Sequence, residues 1–381
     1  MTKLQSRVLT GVFLVMIFGC TGASLLKRDT SFSEKENRIL AQMPELNLKD
    51  ILSGTFEKNY ETYLSDQFFW RDGWIGVKTK AERAEGKTEI NDVYFAKDGY
   101  LIEKHSGSFD TDTAKNNITY LGNFLKSQEQ KVGAGHVKAM IVPNAVEILK
   151  DKLPSYAVAD EEGAYLNHIR AQIPEELLFD AEPILDAHKE EQIYYKTDHH
   201  WKTLAARYVY EAWAESIDLP IVPLSEYRKE TLTTDFHGTI DAKVNINVPG
   251  DSIESYQPVT EIPYTLTYNH SEERTSLYDT SYLEGRDKYA VFFGGNQPLI
   301  EAKTEAKTDR SLLIIKDSYA NCFLSFAMQD FSQIDIVDLR YFNENLGDYM
   351  KDKDYTDICV LYNAAGFAED SSVAKLALAT D

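Results

Sequence analysis

Chemistry concentrates in the segment Tyr194-Tyr195-Lys196-Thr197-Asp198-His199-His200-Trp201-Lys202-Thr203. An aspartate and two adjacent histidines stand just before a helix-like run. Such a group can do three things. The carboxylate can orient an imidazole as a general base for a hydroxyl nucleophile supplied from elsewhere. Asp198, His199 and His200 can ligate a metal. They can also form a satisfied structural cluster without catalysis. The first reading needs a serine, and Ser318 fits it. It lies in Leu313-Ile314-Ile315-Lys316-Asp317-Ser318-Tyr319-Ala320-Asn321, which reads as apolar strand, tight turn and helix. A serine at such a turn is exposed at the carboxyl edge of a sheet, where the helix start offers N–H groups to an oxyanion. On an extended stretch Asp198 and His200, two apart, face the same side. Asp317 or Ser318 alone reads as a helix cap, but together with the Asp-His-His-Trp segment the nucleophile reading is favoured. The metal reading finds less support. Asp110-Thr111-Asp112 and Asp352-Lys353-Asp354 lie on polar segments, and Gly294-Gly295-Asn296 carries no histidine. No cofactor is expected.

These residues need a frame. Val137–Pro143, Leu177–Phe179, Ala290–Phe293, Leu312–Ile315, Ile334–Val337 and Ile358–Tyr362 are short apolar runs separated by helix-length segments. Apolar strands alternating with helices imply an α/β fold with a mainly parallel sheet covered on both faces. Residues 111–129 and 203–216 carry apolar residues at helical spacing. Val93–Phe95 and Tyr100–Ile102 flank Lys97-Asp98-Gly99, a hairpin signal. Residues 231–289 break the alternation and read as a β-rich insertion. Upstream, residues 27–50 are polar and read as a stalk, and residues 51–84 as a helical segment rich in aromatics. The expected division is therefore 1–28 as signal peptide or membrane anchor, 29–90 as stalk and helical segment, and 91–381 as the α/β domain.

The chain of 381 residues has net charge −21, which disfavours nucleic acid as a partner. Its three cysteines exclude a disulfide framework, and a Cys322–Cys359 bridge is not expected. Lys3 and Arg7 precede an uncharged run from Val8 to Leu26, closed by Lys27 and Arg28. Such a run spans a bilayer or serves as an export signal, and Ile17-Phe18-Gly19-Cys20 leaves lipidation of Cys20 open. A body outside the cytoplasm is expected. Asn117-Ile118-Thr119 matches a glycosylation sequon but falls on an expected helix.

Asp198-His199-His200-Trp201 is also the name-giving tetrapeptide of the bacterial DHHW protein family, which the chain resembles over nearly its whole length. Further matching pieces are Phe32-Ser33-Glu34, Glu36-Asn37-Arg38, Tyr63–Phe68, Gly238-Thr239, Gly294–Pro298, Lys316–Tyr319 and Asp338–Phe342. That family resembles the alginate O-acetylation proteins, whose catalytic body is SGNH hydrolase-like. The resemblance implies a permuted SGNH-like α/β domain with Asp198 as orienter, His200 as base and Ser318 as nucleophile. His199 falls at the variable position. Gly295 and Asn296 become oxyanion candidates beside the Ser318 N–H, and Trp201 and His199 substrate candidates. The implied activity is acetyl transfer onto an exported or cell-surface polysaccharide, with a membrane-bound O-acyltransferase partner supplying acetyl groups. An acetyl esterase with the same triad and a non-catalytic polysaccharide-binding protein remain the alternatives.

Overall fold

The structure is a computed structural model describing residues 2–33, 38–158 and 160–380, and its contacts divide the chain into two compact units. Glu34 and Glu36-Asn37, two pieces of the resemblance, lie outside the described residues.

The first unit holds residues 1–87 and 242–247. It begins with the helix Lys3–Leu26, long and apolar enough to cross a membrane, none of whose residues is buried. The helical run expected over 51–84 is three helices, Leu48–Ser53, Thr55–Gln67 and Arg71–Ala84. Left-handed backbone at Gly54 and Trp70 breaks it. The polar stretch upstream is anchored, not free. Asp66 accepts a two-pronged bond from the Arg38 guanidinium (2.9 and 2.6 Å) and another from the Ala41 N–H. Gln67 exchanges bonds with the Thr30 backbone and caps the Ala41 carbonyl.

The second unit holds residues 88–241 and 248–381. A seven-stranded sheet runs in the order Glu272–Arg274, Tyr264–Tyr268, Leu299–Thr304, Gln333–Val337, Ser311–Lys316, Asp357–Asn363, Val137–Val142. The last four strands are mutually parallel, and the first three add antiparallel edges. Ser311–Lys316 shows why this sequence makes a central strand. Leu312 and Ile314 enter one core, Leu313 and Ile315 the other, and all four are fully buried. Thr203–Ser216 and Ala320–Ala327 contribute to the first core, and Asp112–Val132 and Ala364–Glu369 to the second.

Two expected strands are corrected. Leu177–Phe179 is a helical turn, Glu175–Leu177, followed by a single bridge from Leu178 to Ala139. Ala290–Phe293 closes another turn, because Phe293, Gly294 and Gly295 all have positive φ. Both segments pack against the core, and neither forms a strand of the sheet. The 231–289 region is β-rich but divided. Tyr227–Phe236 pairs with Asp251–Pro258 as a separate ribbon, while Tyr264–Tyr268 and Glu272–Arg274 extend the main sheet.

Candidate active site

Ser318 follows the central strand Ser311–Lys316 and sits at the carboxyl edge of the parallel strands, two residues before the helix Ala320–Ala327. Its turn is pinned by Asp317. One carboxylate oxygen accepts the Tyr319 N–H at 2.9 Å, and the other accepts the Asn363 N–H and side-chain amide at 2.8 and 2.6 Å. The helix-start donors expected for an oxyanion are therefore mostly engaged. Tyr319 N–H goes to the Asp317 side chain, Ala320 N–H to the Asp317 carbonyl and Asn321 N–H to the Ser318 carbonyl. Among the described residues the Ser318 N–H has no partner and stays available.

Asp198 and His200 arrive on a different element. Tyr194 and Trp201 bridge antiparallel, and Tyr195 N–H reaches the His200 carbonyl, so residues 195–200 form the tip of a tight hairpin. Asp251 holds its base, accepting from Lys196 N–H, Thr197 N–H and the Thr197 hydroxyl. The tip is bent, not extended as expected. Asp198 Oδ1 accepts both the His200 N–H (3.0 Å) and His200 Nδ1 (2.5 Å), a side-chain turn closed by the carboxylate itself. His200 Nε2 then lies 2.7 Å from Ser318 Oγ.

Hydrogen-bond chemistry assigns the protons. An ionised carboxylate only accepts, so His200 Nδ1 carries the hydrogen and Nε2 accepts from the Ser318 hydroxyl. Burial pushes the Asp198 carboxyl up, but the neighbouring His199 and His200 imidazoles, the His200 bond and the Thr239 N–H outweigh it, holding Asp198 well below the usual carboxylate range. Burial, with the His199 imidazole adding to it, pushes His200 down to about 4, against the pull of Asp198. At neutral pH the pair is a carboxylate and a neutral imidazole, the state in which a base can take the serine proton.

The remaining sequence candidates separate. The His199 ring lies tilted against that of His200, with ring centres 3.9 Å apart and 34° between planes, and its Nδ1 meets the Thr239 hydroxyl at 2.9 Å. Its side chain keeps 28% exposure, so it can meet a ligand. Trp201 cannot: it is fully buried, with its indole N–H on the Tyr319 carbonyl at 2.9 Å. It braces the serine turn and corrects the substrate-contact expectation. Gly295 is corrected likewise, since its N–H is engaged by the Phe292 carbonyl at 3.1 Å in the left-handed Gly-Gly turn. Asn296 stays beside the serine turn, its Oδ1 accepting from Lys316 Nζ (3.2 Å) and Asn321 Nδ2 (3.4 Å). Asp198, His199 and His200 each place a ligand atom within 4.8 Å of the others, the one such cluster among the described residues. Both His200 nitrogens are already engaged, so a metal there would displace Asp198 or Ser318 from the imidazole.

The DHHW protein family profile matches residues 125–337, more than half of the chain, including the whole hairpin and the serine turn. The chain belongs to the DHHW protein family. Among solved structures, a DHHW family protein from Eubacterium siraeum is similar at 27% identity and TM-score 0.63, over 75% of this chain and 95% of that one. Bacillus cereus PatB1, in a structure with a sulfonyl adduct, is similar at 19% identity and TM-score 0.59, over 74% of this chain and 99% of that one. The O-acetyltransferase domain of Pseudomonas putida AlgJ follows at 12% identity and TM-score 0.47, over 73% and 92%. The first two share the fold of this chain. No curated protein matches the chain.

In this DHHW protein three further residues line the candidate site that were not named as site candidates from the sequence. Tyr289 lies flat on the His200 ring (3.8 Å, 17°) and donates its hydroxyl to the Ser318 carbonyl at 3.2 Å. Tyr319 donates its hydroxyl to the His199 carbonyl at 2.6 Å, tying the serine turn to the hairpin. Thr239 gives Asp198 Oδ2 both a backbone N–H (3.0 Å) and a hydroxyl (3.3 Å). Thr239 and Tyr319 carried a sequence signal as members of the pieces Gly238-Thr239 and Lys316–Tyr319, and Tyr289 carried none. A Cβ on Gly238 would fall 2.2 Å from the Asp198 side chain, so only glycine lets that carboxylate sit where it does.

Proposed function

We propose that this chain is an extracytoplasmic O-acetyltransferase acting on an exported or cell-surface polysaccharide through Ser318, His200 and Asp198. One observation carries the reading: the continuous relay from a hydroxyl through a neutral imidazole to a buried carboxylate, at 2.7 and 2.5 Å. Acetyl as the group and polysaccharide as the acceptor come from the resemblance of the Asp-His-His-Trp and serine motifs to the alginate acetylation proteins. The order, with Asp198 and His200 before Ser318 by 118 residues or more, fits a permuted SGNH-like domain.

In the first half-reaction Ser318 Oγ bonds to the acetyl carbonyl carbon while His200 Nε2 takes its proton. The tetrahedral oxyanion is met by the Ser318 N–H and the Asn296 amide. As the donor's ester bond breaks, His200 returns the proton to the leaving alcohol and acetyl-serine remains. In the second half a sugar hydroxyl attacks the acetyl carbon and loses its proton to His200, and Ser318 leaves and takes that proton back. The apolar Lys3–Leu26 helix, with Lys3 and Arg7 kept inside by the positive-inside rule, supports a position of residues 29–381 beyond the membrane, and a membrane-bound O-acyltransferase would supply the acetyl groups there.

The test is a full-length, detergent-solubilised protein given an acetyl-ester donor and a panel of bacterial oligosaccharides. Mass spectrometry should find acetylated sugar in excess of free acetate. Acetate alone makes the protein an esterase, and glycan binding without either product makes it a binding protein. Turnover abolished by chelator and restored by manganese replaces the serine reading with a metal one. A sulfonyl fluoride, which is attacked by an activated serine, should label Ser318 in the wild type and not in His200→Ala.

A further inference from the structure

Lys316 ends the central strand two residues before Ser318 and is almost wholly buried, at 2% exposure. A lysine there is costly unless its three hydrogens are met. They are directed at Asn321 Oδ1 (2.8 Å), Asn296 Oδ1 (3.2 Å) and the Asp338 carboxylate (3.6 Å). Asp338 is itself forked by Arg340 at 2.8 and 2.6 Å, so Lys316 is not needed to neutralise it. The contacts of Lys316 that Arg340 does not duplicate are those to the two asparagines.

Those contacts settle a question that an amide normally leaves open. The two ends of an asparagine side chain are nearly equal in size, and their orientation follows from neighbours. An ammonium has three donors and no acceptor. Whatever amide atom faces Lys316 must be oxygen. Asn296 therefore turns Oδ1 to Lys316 and Asn321, which leaves Nδ2, without another partner among the described residues, on the opposite side. Asn321 connects this amide to the nucleophile, since its own N–H bonds the Ser318 carbonyl at 3.2 Å.

We propose that Lys316 is a positioning residue that locks the Asn296 amide with its N–H₂ facing the oxyanion formed at Ser318. This rests on the acetyl-serine reading above. It also gives the serine turn a second donor beside the Ser318 N–H. The lock has a built-in limit. Burial pushes the Lys316 ammonium down to about 8, against Asp338 and Asp317 and with Arg340 adding to the fall. Once deprotonated, its nitrogen can accept, and the amide is free to turn.

The experiment is p-nitrophenyl acetate turnover by the full-length protein in detergent, as wild type, Lys316→Met, Asn296→Ala and the double variant. Removing one oxyanion donor costs roughly 10²–10³-fold in kcat, so Asn296→Ala should fall by that much with KM little changed. Lys316→Met should fall roughly tenfold to a hundredfold in kcat by the same loss. The double variant should be no slower than Asn296→Ala, because a lock without a bolt does nothing more. Losses that multiply, or Lys316→Met equal to wild type, overturn the proposal. Should Lys316→Met fail to fold, the pH profile decides. The wild type should lose kcat above about pH 8, and Asn296→Ala should lack that limb; the same limb in both overturns the proposal. A wild type without turnover or sulfonyl labelling at Ser318 removes the acetyl-serine reading itself, and the lock with it.

Discussion

An aspartate–histidine pair lies at each edge of the parallel strands, one at the strand starts and one on the hairpin beside Ser318, and the two differ in what surrounds the carboxylate. At the amino edge of the parallel strands His136 Nδ1 meets Asp357 Oδ1 at 3.0 Å. There Arg310 forks the same carboxylate at 2.7 and 2.5 Å, and the histidine side chain is 39% exposed. At the carboxyl edge Asp198 has no guanidinium or ammonium among its described partners. It is met by imidazoles, the Thr239 N–H and the Thr239 hydroxyl. A carboxylate neutralised by arginine holds strands together and has little left to offer an imidazole. A carboxylate held by neutral donors keeps its charge for the imidazole, and the imidazole's other nitrogen reaches a hydroxyl. Shared residue types thus serve different ends, and the cation, not the histidine, tells them apart.

The largest effects should fall on opposite observables at the two ends. Ser318→Ala and His200→Ala should each lower ester turnover on the order of 10⁴–10⁶-fold while melting temperature changes little. His199→Ala should cost far less, since that ring contacts Asp198 only at 3.8 Å. His199→Ala dead beside an active His200→Ala would reverse the assignment of the base. At the other end Arg310→Met leaves Asp357 buried without its cation. It should destabilise by about 3–5 kcal/mol, read by denaturant unfolding, with turnover per folded molecule unchanged. Stability retained in Arg310→Met would erase the contrast.

A smaller effect probes the hairpin side. Gly238→Ala sets a methyl group against Asp198, which must move. A displacement near 1 Å of an orienting group costs on the order of 10²-fold, so kcat should drop by about that factor with sulfonyl labelling of Ser318 slowed in proportion. Wild-type rates in Gly238→Ala would mean that the carboxylate position does not matter to the chemistry.

Legibility followed sequence distance. The grouping of Asp198, His200 and Ser318 was readable because the first two are close in sequence and the third sits at a strand-to-helix turn with an apolar strand before it. The structure holds the three within hydrogen-bond reach. The parallel strands were readable because full burial leaves unbroken apolar runs, as in Ser311–Lys316 and Asp357–Asn363. That signal also misled at Ala290–Phe293, where apolar residues fill the core beside a left-handed turn. Tyr289 and Asp251 were not readable at all. Each meets its partner across tens of residues on another element, and a tyrosine on an imidazole or a carboxylate under a hairpin leaves no local period.

The gentlest test is acidity, and it asks which force wins on His200. Asp198 alone would raise the imidazole and make it a cation at neutral pH. Burial and the adjacent His199 act against it and bring it down to about 4. Only the neutral imidazole takes the serine proton, so kcat should be level from neutral pH down to about 5. It should then fall tenfold per unit below about 4. The sign for stability follows the same shift. The unfolded histidine binds a proton near its ordinary 6.5 and the folded one does not. Folding therefore loses stability progressively as pH drops from about 6.5 to about 4. Histidine NMR titration should show the His200 ring protonating at about 4, and His200→Ala should remove that signal. An acid limb near 6.5 in kcat would mean that Asp198 prevails over burial. The resting site would then hold an imidazolium–carboxylate pair, which must lose a proton before Ser318 can react.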